Sequence, residues 1–392
     1  MKIAMMTNNY KPFVAGVPIS IERLSKGLRD NGHEVVVFAP NYKGQEMDEN
    51  VVRYHALIKG VANGFSVPNS LDGEIERQFK AGGFDIIHVH HPMLIGWTAE
   101  YLSRKYHVPL CMTYHTRYEQ YLHYIGAPFL RNLIPSYVNR FARDCDMIFA
   151  PTPSMQTYLE DICGRTRVVV LPTGIDKDSF LTDKEEIEKL RSDLLAGKQY
   201  LFCTVARLAK EKNLEFLLRA LAGRKRKYGA DFRFAIIGEG SYQKQLQSLA
   251  KELDILEEVV FVGKVPNEQV KNYCKAADLF LFSSLSETQG IVLLEAMAAA
   301  TPVLALYASG VRDIVVNGRN GYMTRASEIE FNDRLEDLLK QDRTYLEQGA
   351  LETAAKYETR EIAKCAALYY NIAMQNYRQE ERRFGSISYF NC

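Results

Sequence analysis

Short apolar runs alternate with helical patterns along almost the whole chain. Runs such as "KIAMMT", "EVVVFAP" and "RVVVLPTG" are nearly continuously apolar, which is typical of parallel strands that are buried on both faces. Between them, apolar residues recur three and four positions apart, as on a helix with one buried face. Asn213 is a candidate N-cap for one such helix. The alternation predicts an α/β fold with doubly wound parallel sheets.

The chain contains two successive series of alternating strands and helices. The first ends after "VVVLPTGIDKDSF", and an acidic polar stretch precedes the second. We expect a first domain over 1–172, a second over 173–363, and a long amphipathic helix with a loosely held tail over 364–392. Ligands of open α/β sheets bind at the carboxyl ends of the strands. Two facing domains would therefore place the site in the cleft between them, on loops that follow strands.

Composition and charge exclude several classes of protein. Lys and Arg number 49 and Asp and Glu 48, so no global field favours nucleic acid. The seven cysteines are scattered and form no CxxC pair, which argues against a disulfide framework or a thiolate zinc site. No strand-to-helix loop contains GxGxxG, and "GEG" at 238–240 is the nearest approach. The same cysteine pattern indicates a reducing, cytoplasmic compartment. Because no apolar run approaches about 20 residues, we expect the protein to be soluble or at most peripheral to a membrane.

The loop "RLAKEKN" follows the predicted strand "YLFCTVA" and carries Arg207 and Lys212 ahead of a helix. Two cations there are electrostatically unfavourable, because the N-terminus of a helix already bears partial positive charge. A bound anion would remove the conflict, and a diphosphate can be held by a guanidinium together with an ammonium. The alternative is a solvated pair in which Glu211 neutralises one of the cations.

The segment "SSLSETQGIVLLEAMAAATPVLAL" carries two acids, Glu287 in a loop and Glu295 in a helix that begins near Gly290. Because this helix is apolar on every side, we expect it to be buried. A buried carboxylate needs hydrogen-bond donors, which ligand hydroxyls could supply. The amides between the two acids are where a phosphate would bind. The alternatives are a salt bridge from Glu295 to a neighbouring helix and a solvated loop acid at Glu287.

Three features of the first half are also candidates for ligand binding. Gly16 precedes a helix whose amides could meet a phosphate or a sugar, although a glycine there is also an ordinary turn. His115 lies at the carboxyl end of the predicted strand run "PLCMTYH", where a histidine can either bind a ligand or have a structural role. His88, His90 and His91 in "HVHH" suggest a metal, but no acidic ligand is near in sequence. We therefore interpret them as polar strand-end residues that face the cleft.

Together these loops resemble the family 4 retaining glycosyltransferases of the GT-B fold along nearly the whole chain. The resemblance rests on Glu287 and Glu295 within "SETQGIVLLEAMAAATPVLA", supported by "VARLAKEKNLEFLLRAL", "FAIIGEG", "VVFVGKV", "LPTGID" and "YASGVRDIVVNGRNGY". It implies two facing Rossmann-like domains, with the C-terminal helix returning to the N-terminal, acceptor-binding domain. It also implies a sugar nucleotide in the second domain and transfer with retained anomeric configuration, with no metal and no cofactor.

The resemblance also implies roles for individual residues. Arg207 and Lys212 would hold the donor diphosphate, Glu295 the ribose hydroxyls and Glu287 the donor sugar, while His115 would contact the sugar from the first domain. Of these five, His115, Glu287, Arg207 and Lys212 are the expected catalytic residues. The remaining candidates for donor binding are Gly16, Val17, Gln289, Gly290, Ile291 and Val292.

Two positions depart from the family pattern, in which many members have Gly-Gly at Gly16-Val17 and a glycine at Ala300. Neither change removes a charged group, and the first affects how closely a donor can approach that loop.

The leaving diphosphate gains negative charge, which Arg207, Lys212 and the helix N-terminus would stabilise. The family picture is front-face attack with the leaving phosphate taking the acceptor proton, so we assign no catalytic base.

The segments "AGVPISI", "TYHTRYEQYLHYIG" and "SETQGIVLLEA" look most like the branch that glucosylates diacylglycerol in bacterial membranes. In "IGAPFLRNLIPSYVNRFAR", apolar residues alternate with arginines, as in an interfacial segment attracted to anionic lipid. The alternative is a core helix with a basic outer face. The candidates for contact with the acceptor or the membrane are Tyr118, His123, Phe129, Leu130, Arg131, Arg140 and Arg143.

We therefore expect a retaining hexosyltransferase that moves glucose from UDP-glucose to diacylglycerol or its monoglycosyl form. Its partners would be the nucleotide sugar, the lipid acceptor and an anionic membrane surface, and not nucleic acid. We expect this surface to be the inner face of the plasma membrane. One alternative is a family 4 enzyme with a soluble acceptor such as a sugar, a polyol or a thiol precursor. Another is a non-catalytic sugar-nucleotide-binding protein, which the full set of charged residues disfavours.

Overall fold

The computed structural model describes residues 1–13, 15–45, 47–61, 65–117, 133–164, 167–181 and 183–388. The chain forms two compact units. Unit 1 comprises Met1–Gly174 together with Thr359–Cys392, and unit 2 comprises Ile175–Glu358. The chain thus changes unit after Gly174 and after Glu358, where the sequence led us to expect 172 and 363.

Unit 1 is built on a seven-stranded sheet with a separate two-stranded hairpin. Its strands are β1 (Lys2–Met6), β2 (Glu34–Pro40), β3 (Val51–Tyr54), β4 (Ala56–Val61), β5 (Phe65–Pro68), β6 (Ile86–Val89), β7 (Leu110–Thr113), β8 (Met147–Ala150) and β9 (Val168–Val170). The sheet order is β3-β2-β1-β6-β7-β8-β9, and its neighbouring strands pair in parallel. β4 and β5 form the antiparallel hairpin.

Helices connect these strands and cover both faces of the sheet. They are α1 (Gly16–Asp30), α2 (Gly73–Gly82), α3 (Ile95–Tyr106), α4 (Leu133–Arg143) and α5 (Pro153–Cys163). Along β1, Ala4 and Met6 belong to one apolar cluster while Ile3 and Met5 belong to the other. Since successive strand residues point to opposite faces, both faces are buried. This explains the continuous apolar runs and confirms the predicted doubly wound sheet.

Unit 2 repeats this plan with a six-stranded sheet in the order β12-β11-β10-β13-β14-β15. Its strands are β10 (Tyr200–Val205), β11 (Phe232–Ile237), β12 (Val259–Gly263), β13 (Leu279–Phe282), β14 (Val303–Leu306) and β15 (Gly321–Thr324). Its helices are α6 (Lys184–Leu195), α7 (Leu214–Tyr228), α8 (Gln243–Glu252), α9 (Val270–Ala276), α10 (Ile291–Ala298), α11 (Glu328–Lys340) and α12 (Thr344–Ala355). All neighbouring strands pair in parallel.

The last helix, α13 (Thr359–Ser388), belongs to unit 1. Ala363, Ala366, Tyr370 and Ala373 on this helix are buried in one cluster with apolar residues of α1 and β1. Small side chains on α13 let it pack closely on α1. The predicted return of the C-terminal helix is therefore confirmed. In the part of the chain that the structure describes, the helices are too short or too polar to cross a bilayer.

Candidate functional site

In unit 2, the loop that carries Arg207 follows β10 and rests on the "GEG" segment that follows β11. The amide of Leu208 donates to the carbonyl of Glu239 at 3.0 Å. Gly238 has φ 129°, and a Cβ there would lie 2.0 Å from the carbonyl oxygen of Ala206. Only glycine permits this approach. The glycines of "GEG", the nearest approach to a dinucleotide-binding motif, thus support the loop that carries Arg207.

The other end of this loop is fixed to the end of β13. Asn213, predicted as the N-cap of α7, has φ 54° and makes no side-chain capping bond. Its Nδ2 instead donates to the carbonyl of Ser283 at 3.1 Å, and the Ser283 hydroxyl donates to the carbonyl of Lys212 at 3.1 Å. Asn213 thus occupies the predicted N-cap position, but its side chain bridges two loops and does not cap the helix. The bridge brings Lys212 beside the loop that carries Glu287.

Both predicted cations form ion pairs. Arg207 Nη2 donates to Glu211 Oε1 at 2.6 Å, and Lys212 Nζ donates to Glu287 Oε1 at 2.6 Å. The side chains of Lys212 and Glu287 are 20% and 17% exposed, so this second pair is largely shielded from water. The alternative in which Glu211 neutralises a cation holds for Arg207. The solvated-acid alternative for Glu287 is wrong, because Lys212 pairs with it.

Glu287 remains ionised at neutral pH despite its burial. Burial raises the pKa of this carboxyl, but the charge and hydrogen bond of Lys212 lower it, and so does the charge of Arg207. The balance leaves the pKa below its ordinary value. Glu287, Lys212 and Arg207 therefore form one electrostatically coupled group at the carboxyl ends of β10 and β13.

The two acids flank the start of α10 as predicted. Gly290 lies directly before the helix with φ 78°, a left-handed conformation that favours glycine. Glu295 is 8% exposed. The hydrogen bond with Cys203 and burial raise the pKa of the Cys274 thiol, and the charge of nearby Glu295 raises it further. Gln289 is buried, whereas Ile291 and Val292 in the first turn are partly exposed. Unit 2 thus contains the buried acid Glu295, the N-terminus of α10 and the ion pairs in one group of loops.

Sequence reasoning missed Gly310 as part of this group. Gly310 has φ 79°, and a Cβ there would lie 2.6 Å from the carbonyl oxygen of Glu287. A side chain would push the Glu287 loop away. The quoted segment "YASGVRDIVVNGRNGY" contained the signal, a glycine shortly after a buried strand.

In unit 1, four histidines cluster near the ends of β6 and β7. Nε2 of His115 lies 2.9 Å from Nδ1 of His90, and the two rings stack with centroids 5.2 Å apart. The ring centroids of His88 and His90 lie 4.2 Å apart. His91 accepts a hydrogen bond from the amide of Asn8 at 3.2 Å. The described residues contain no group of three or more His, Cys, Asp or Glu side chains arranged to hold a metal ion.

The prediction that "HVHH" faces a cleft is wrong for His88. That ring is fully buried, with Nδ1 2.6 Å from the hydroxyl of Tyr370 on α13 and Nε2 2.7 Å from the hydroxyl of Thr113 on β7. Burial lowers the pKa of His88 to about 3 and that of His91 to about 4. Burial, followed by the charges of neighbouring histidines, also holds the pKa of His90 and His115 well below the usual value. All four rings are therefore neutral at pH 7.

The remaining candidates of unit 1 lie elsewhere. Gly16 is the exposed first residue of α1, as expected. The side chain of Val17 is partly buried and packs against the apolar cluster shared by α1 and α13. Tyr118, His123, Phe129, Leu130 and Arg131 lie outside the described residues.

Helix α4 carries the two described acceptor or membrane candidates. Arg140 Nη2 lies 3.8 Å from a carboxylate oxygen of Glu100, and Arg143 Nε donates to Asn139 Oδ1 at 3.3 Å. The inner face of the helix, with Val138, is buried in the core. Over Leu133–Arg143 the core-helix alternative therefore holds, because the apolar stripe packs inward and the arginines point outward.

Two aromatic residues that the sequence analysis did not single out lie on the surface beside α4. Trp97 and Tyr101 on α3 are 47% and 49% exposed, and Leu133 at the start of α4 is 60% exposed. Trp97 Nε1 donates to the hydroxyl of Tyr137 at 2.6 Å, which fixes α3 against α4. These exposed aromatic and apolar side chains form a surface with cations nearby. The sequence pattern does not reveal this surface, because it indicates apolar residues as buried.

The chain is similar to known proteins over both units. A model of glycosyl transferases group 1 matches residues 186–357, and a model of glycosyltransferase family 4 matches residues 14–179. The alpha-monoglucosyldiacylglycerol synthase of Streptococcus pneumoniae is 31% identical over 320 residues, which cover 78% of this chain and 71% of that protein. The enzyme of the same name from Acholeplasma laidlawii is 26% identical over 404 residues, which cover 98% of this chain and 100% of that protein.

A solved structure agrees with the predicted fold. Sucrose-phosphate synthase from Thermosynechococcus elongatus matches with a TM-score of 0.79 at 19% identity, over 95% of this chain and 98% of that one. At this identity the likeness bears on the fold, and it confirms the GT-B class. With two family models covering both units and a relative above 30% identity, the chain belongs to glycosyltransferase family 4.

Proposed function

We propose that this glycosyltransferase moves glucose from UDP-glucose, with retained anomeric configuration, to diacylglycerol or its monoglucosyl form at a membrane surface. The observation that carries the proposal is the 31% identity to the alpha-monoglucosyldiacylglycerol synthase of Streptococcus pneumoniae. A second relative of the same name aligns with 98% of this chain. The charged group of unit 2 supports a nucleoside diphosphate sugar as the donor.

In the proposed donor site, Arg207 and Lys212 exchange their carboxylate partners for the diphosphate. A diphosphate offers several oxygens to the guanidinium and the ammonium, whereas each cation now has one carboxylate within 2.6 Å. The amides that begin α10 add donors at the same place. Two cations and these amides supply the neutralising charge, so we propose that no metal ion or other cofactor is required.

The release of Lys212 would leave Glu287 free to accept hydrogen bonds from hydroxyls of the donor sugar. Its lowered pKa keeps it an acceptor at neutral pH. Glu295, buried in α10, would hold the ribose hydroxyls. Each acid then finds donors on the ligand, which offsets the cost of burying its charge.

The proposed reaction breaks the bond between the anomeric carbon and a β-phosphate oxygen. The acceptor hydroxyl oxygen forms the new bond on the same face of the sugar, and its proton passes to the departing phosphate oxygen. Arg207, Lys212 and the start of α10 stabilise the charge that develops on this phosphate. Donors that are already positioned lower the barrier, because no reorganisation is needed as the charge forms.

The surface formed by α3 and the start of α4 supports a membrane-associated acceptor. Trp97 and Tyr101 are of the types that settle at the membrane interface, and Arg140 carries the charge that anionic headgroups attract. Trp97 is the chain's single tryptophan. Its fluorescence should therefore shift to the blue when vesicles with anionic lipid are added, and remain unchanged with neutral vesicles.

An acceptor screen tests the proposal. Purified protein with UDP-glucose would be offered diacylglycerol in mixed micelles, its monoglucosyl form and soluble sugars, with the product anomer assigned by NMR. We expect α-linked glucose on one of the lipids. Transfer to soluble acceptors alone would contradict the lipid assignment and favour the soluble-acceptor alternative. UDP-glucose binding without transfer to any acceptor would favour a binding protein.

A further inference from the structure

In unit 2, the turn that carries Lys212 is tied through its main chain to the end of β13. Asn213 Nδ2 donates to the carbonyl of Ser283 at 3.1 Å, and the Ser283 hydroxyl donates to the carbonyl of Lys212 at 3.1 Å. We call this reciprocal pair of hydrogen bonds the Asn213–Ser283 bridge. It holds the main chain from which Lys212 extends, independently of what the side chain of Lys212 contacts.

Ser283 is a well-fixed anchor for this bridge. It directly follows β13, which pairs with β10 and β14 inside the sheet, and it is 1% exposed. Glu287 lies four residues further along the same loop. Gly310 supports that loop so closely that a Cβ there would lie 2.6 Å from the carbonyl oxygen of Glu287. The bridge therefore places the Lys212 main chain relative to the same strand end that places its carboxylate partner.

Position 213 requires both a left-handed backbone and a side-chain donor. Asn213 joins the 3₁₀ turn Lys210–Lys212 to α7 with φ 54° and ψ 34°. Glycine adopts this conformation without strain, and asparagine and aspartate tolerate it better than other residues. Glycine has no side chain, however, and an ionised aspartate cannot donate to a carbonyl. Asparagine meets both requirements, and its side chain serves the bridge while making no capping bond to α7.

We infer that Asn213 is a positioning residue of the donor site, which acts through Lys212 by holding its main chain against the end of β13. This inference rests on the proposed function, in which Lys212 binds the donor diphosphate. The Lys212 ammonium lies at the end of a flexible four-carbon chain. A side chain that extends from a fixed main chain loses less conformational freedom when it binds a phosphate. Without the bridge, the ammonium holds both its carboxylate partner and a diphosphate less well.

The position of Lys212 can be measured without a ligand, through the rate at which its amine is acetylated at neutral pH. Lys212 is 20% exposed and paired with Glu287, whereas Lys210 in the same turn is exposed and serves as the internal reference. Asn213→Gly keeps the left-handed backbone and removes the donor of the bridge. We expect the ratio of Lys212 to Lys210 acetylation, measured by mass spectrometry, to rise about threefold, as for the weakening of a partly shielded ion pair.

Calorimetric titration with free UDP shows whether the bridge acts through Lys212. We expect Asn213→Gly to weaken UDP about fivefold in the wild-type background and to have at most about a twofold effect in Lys212→Ala. Ser283→Ala removes the reciprocal hydrogen bond and should weaken UDP about threefold. Asn332→Ala is the matched control, because Asn332 Nδ2 also donates to a carbonyl of unit 2, that of Ala220 on α7. This variant should bind UDP as the wild type does.

Two results would overturn the inference. Equal losses of UDP affinity from Asn213→Gly in the two backgrounds would show that its effect does not pass through Lys212. Unchanged acetylation of Lys212 in both Asn213→Gly and Ser283→Ala would show that the bridge does not position the ammonium. If the wild-type protein does not bind UDP, the proposed donor is wrong, and the acetylation of Lys212 still decides whether the bridge positions it.

Discussion

The two units share one fold plan but place different chemistry at their strand ends. All eight histidines of the chain lie in unit 1, and four of them form a neutral cluster near the ends of β6 and β7. Unit 2 has no histidine and instead pairs Arg207 with Glu211 and Lys212 with Glu287. Burial keeps these rings neutral because it disfavours the charged imidazolium, whereas ion pairs can be exchanged for a charged ligand. The same architecture therefore supports a rigid polar core in one unit and an exchangeable charged site in the other.

The largest expected difference between the units is their response to acid. The folded-state pKa of His88 is about 3 and that of His91 about 4, against about 6.5 for an unfolded histidine. Between these values the unfolded chain binds more protons than the folded one, so stability falls as pH decreases below about 6.5. At pH 4.5 these two residues together should cost about 5 kcal/mol.

Hydrogen exchange followed by mass spectrometry between pH 7 and pH 4.5 checks this difference. Rates should be corrected for the intrinsic effect of pH on exchange. Peptides of β6 and β7 should lose protection before those of β10 and β13. Equal loss of protection in the two sheets would contradict the burial of neutral histidines in unit 1.

The next largest effect concerns the cations of unit 2. Arg207→Ala should lower kcat/KM about 10²- to 10³-fold, as expected for the loss of one group that stabilises charge on the leaving phosphate. Arg226→Ala removes an equal charge from an exposed position on α7 and should have little effect. Steady-state transfer rates with the active lipid acceptor measure both. Equal losses in both variants would show that only the net charge of unit 2 matters.

A smaller effect should follow from removing the acid partner of Lys212. In Glu287→Gln, the Lys212 ammonium no longer has to give up a carboxylate partner when a diphosphate binds. Free UDP should therefore bind about fivefold more tightly, the equivalent of roughly 1 kcal/mol for a partly shielded pair, while transfer is lost. Isothermal titration with UDP measures this, and Glu239→Gln on the neighbouring loop is the control. Weaker binding of UDP by Glu287→Gln would show that the acid supports the diphosphate site.

The smallest expected effect lies in the backbone of unit 2. Ala300, where many family members have glycine, has φ 57°, a left-handed conformation that is strained for alanine. Ala300→Gly should stabilise unit 2 by up to about 1 kcal/mol. Ala299→Gly, at φ −82°, should destabilise it instead. Urea unfolding followed by exchange protection in β14 distinguishes the two, and a loss of stability with Ala300→Gly would disprove the strain.

The sequence predicted the elements and most of the charged group, because both depend on local patterns. Continuous apolar runs indicated the buried strands, and Gly290 before an apolar segment indicated the start of α10. The contacts that complete each unit join distant positions. Lys212 pairs with a carboxylate 75 residues away, and His88 bonds to a tyrosine 282 residues away. No periodicity specifies such pairs, and the local pattern that predicts Asn213 as the N-cap residue does not reveal its side-chain bridge to Ser283.

We propose that unit 2 binds the nucleotide sugar through its exchangeable cations without a metal. Calorimetric titration of UDP-glucose in the presence of EDTA tests it, with Lys212→Ala compared against Lys210→Ala, an exposed lysine of the same turn. We expect the wild type and Lys210→Ala to bind UDP-glucose equally and Lys212→Ala to bind it at least about tenfold more weakly. Loss of wild-type binding in EDTA, or unchanged binding by Lys212→Ala, would contradict this proposal.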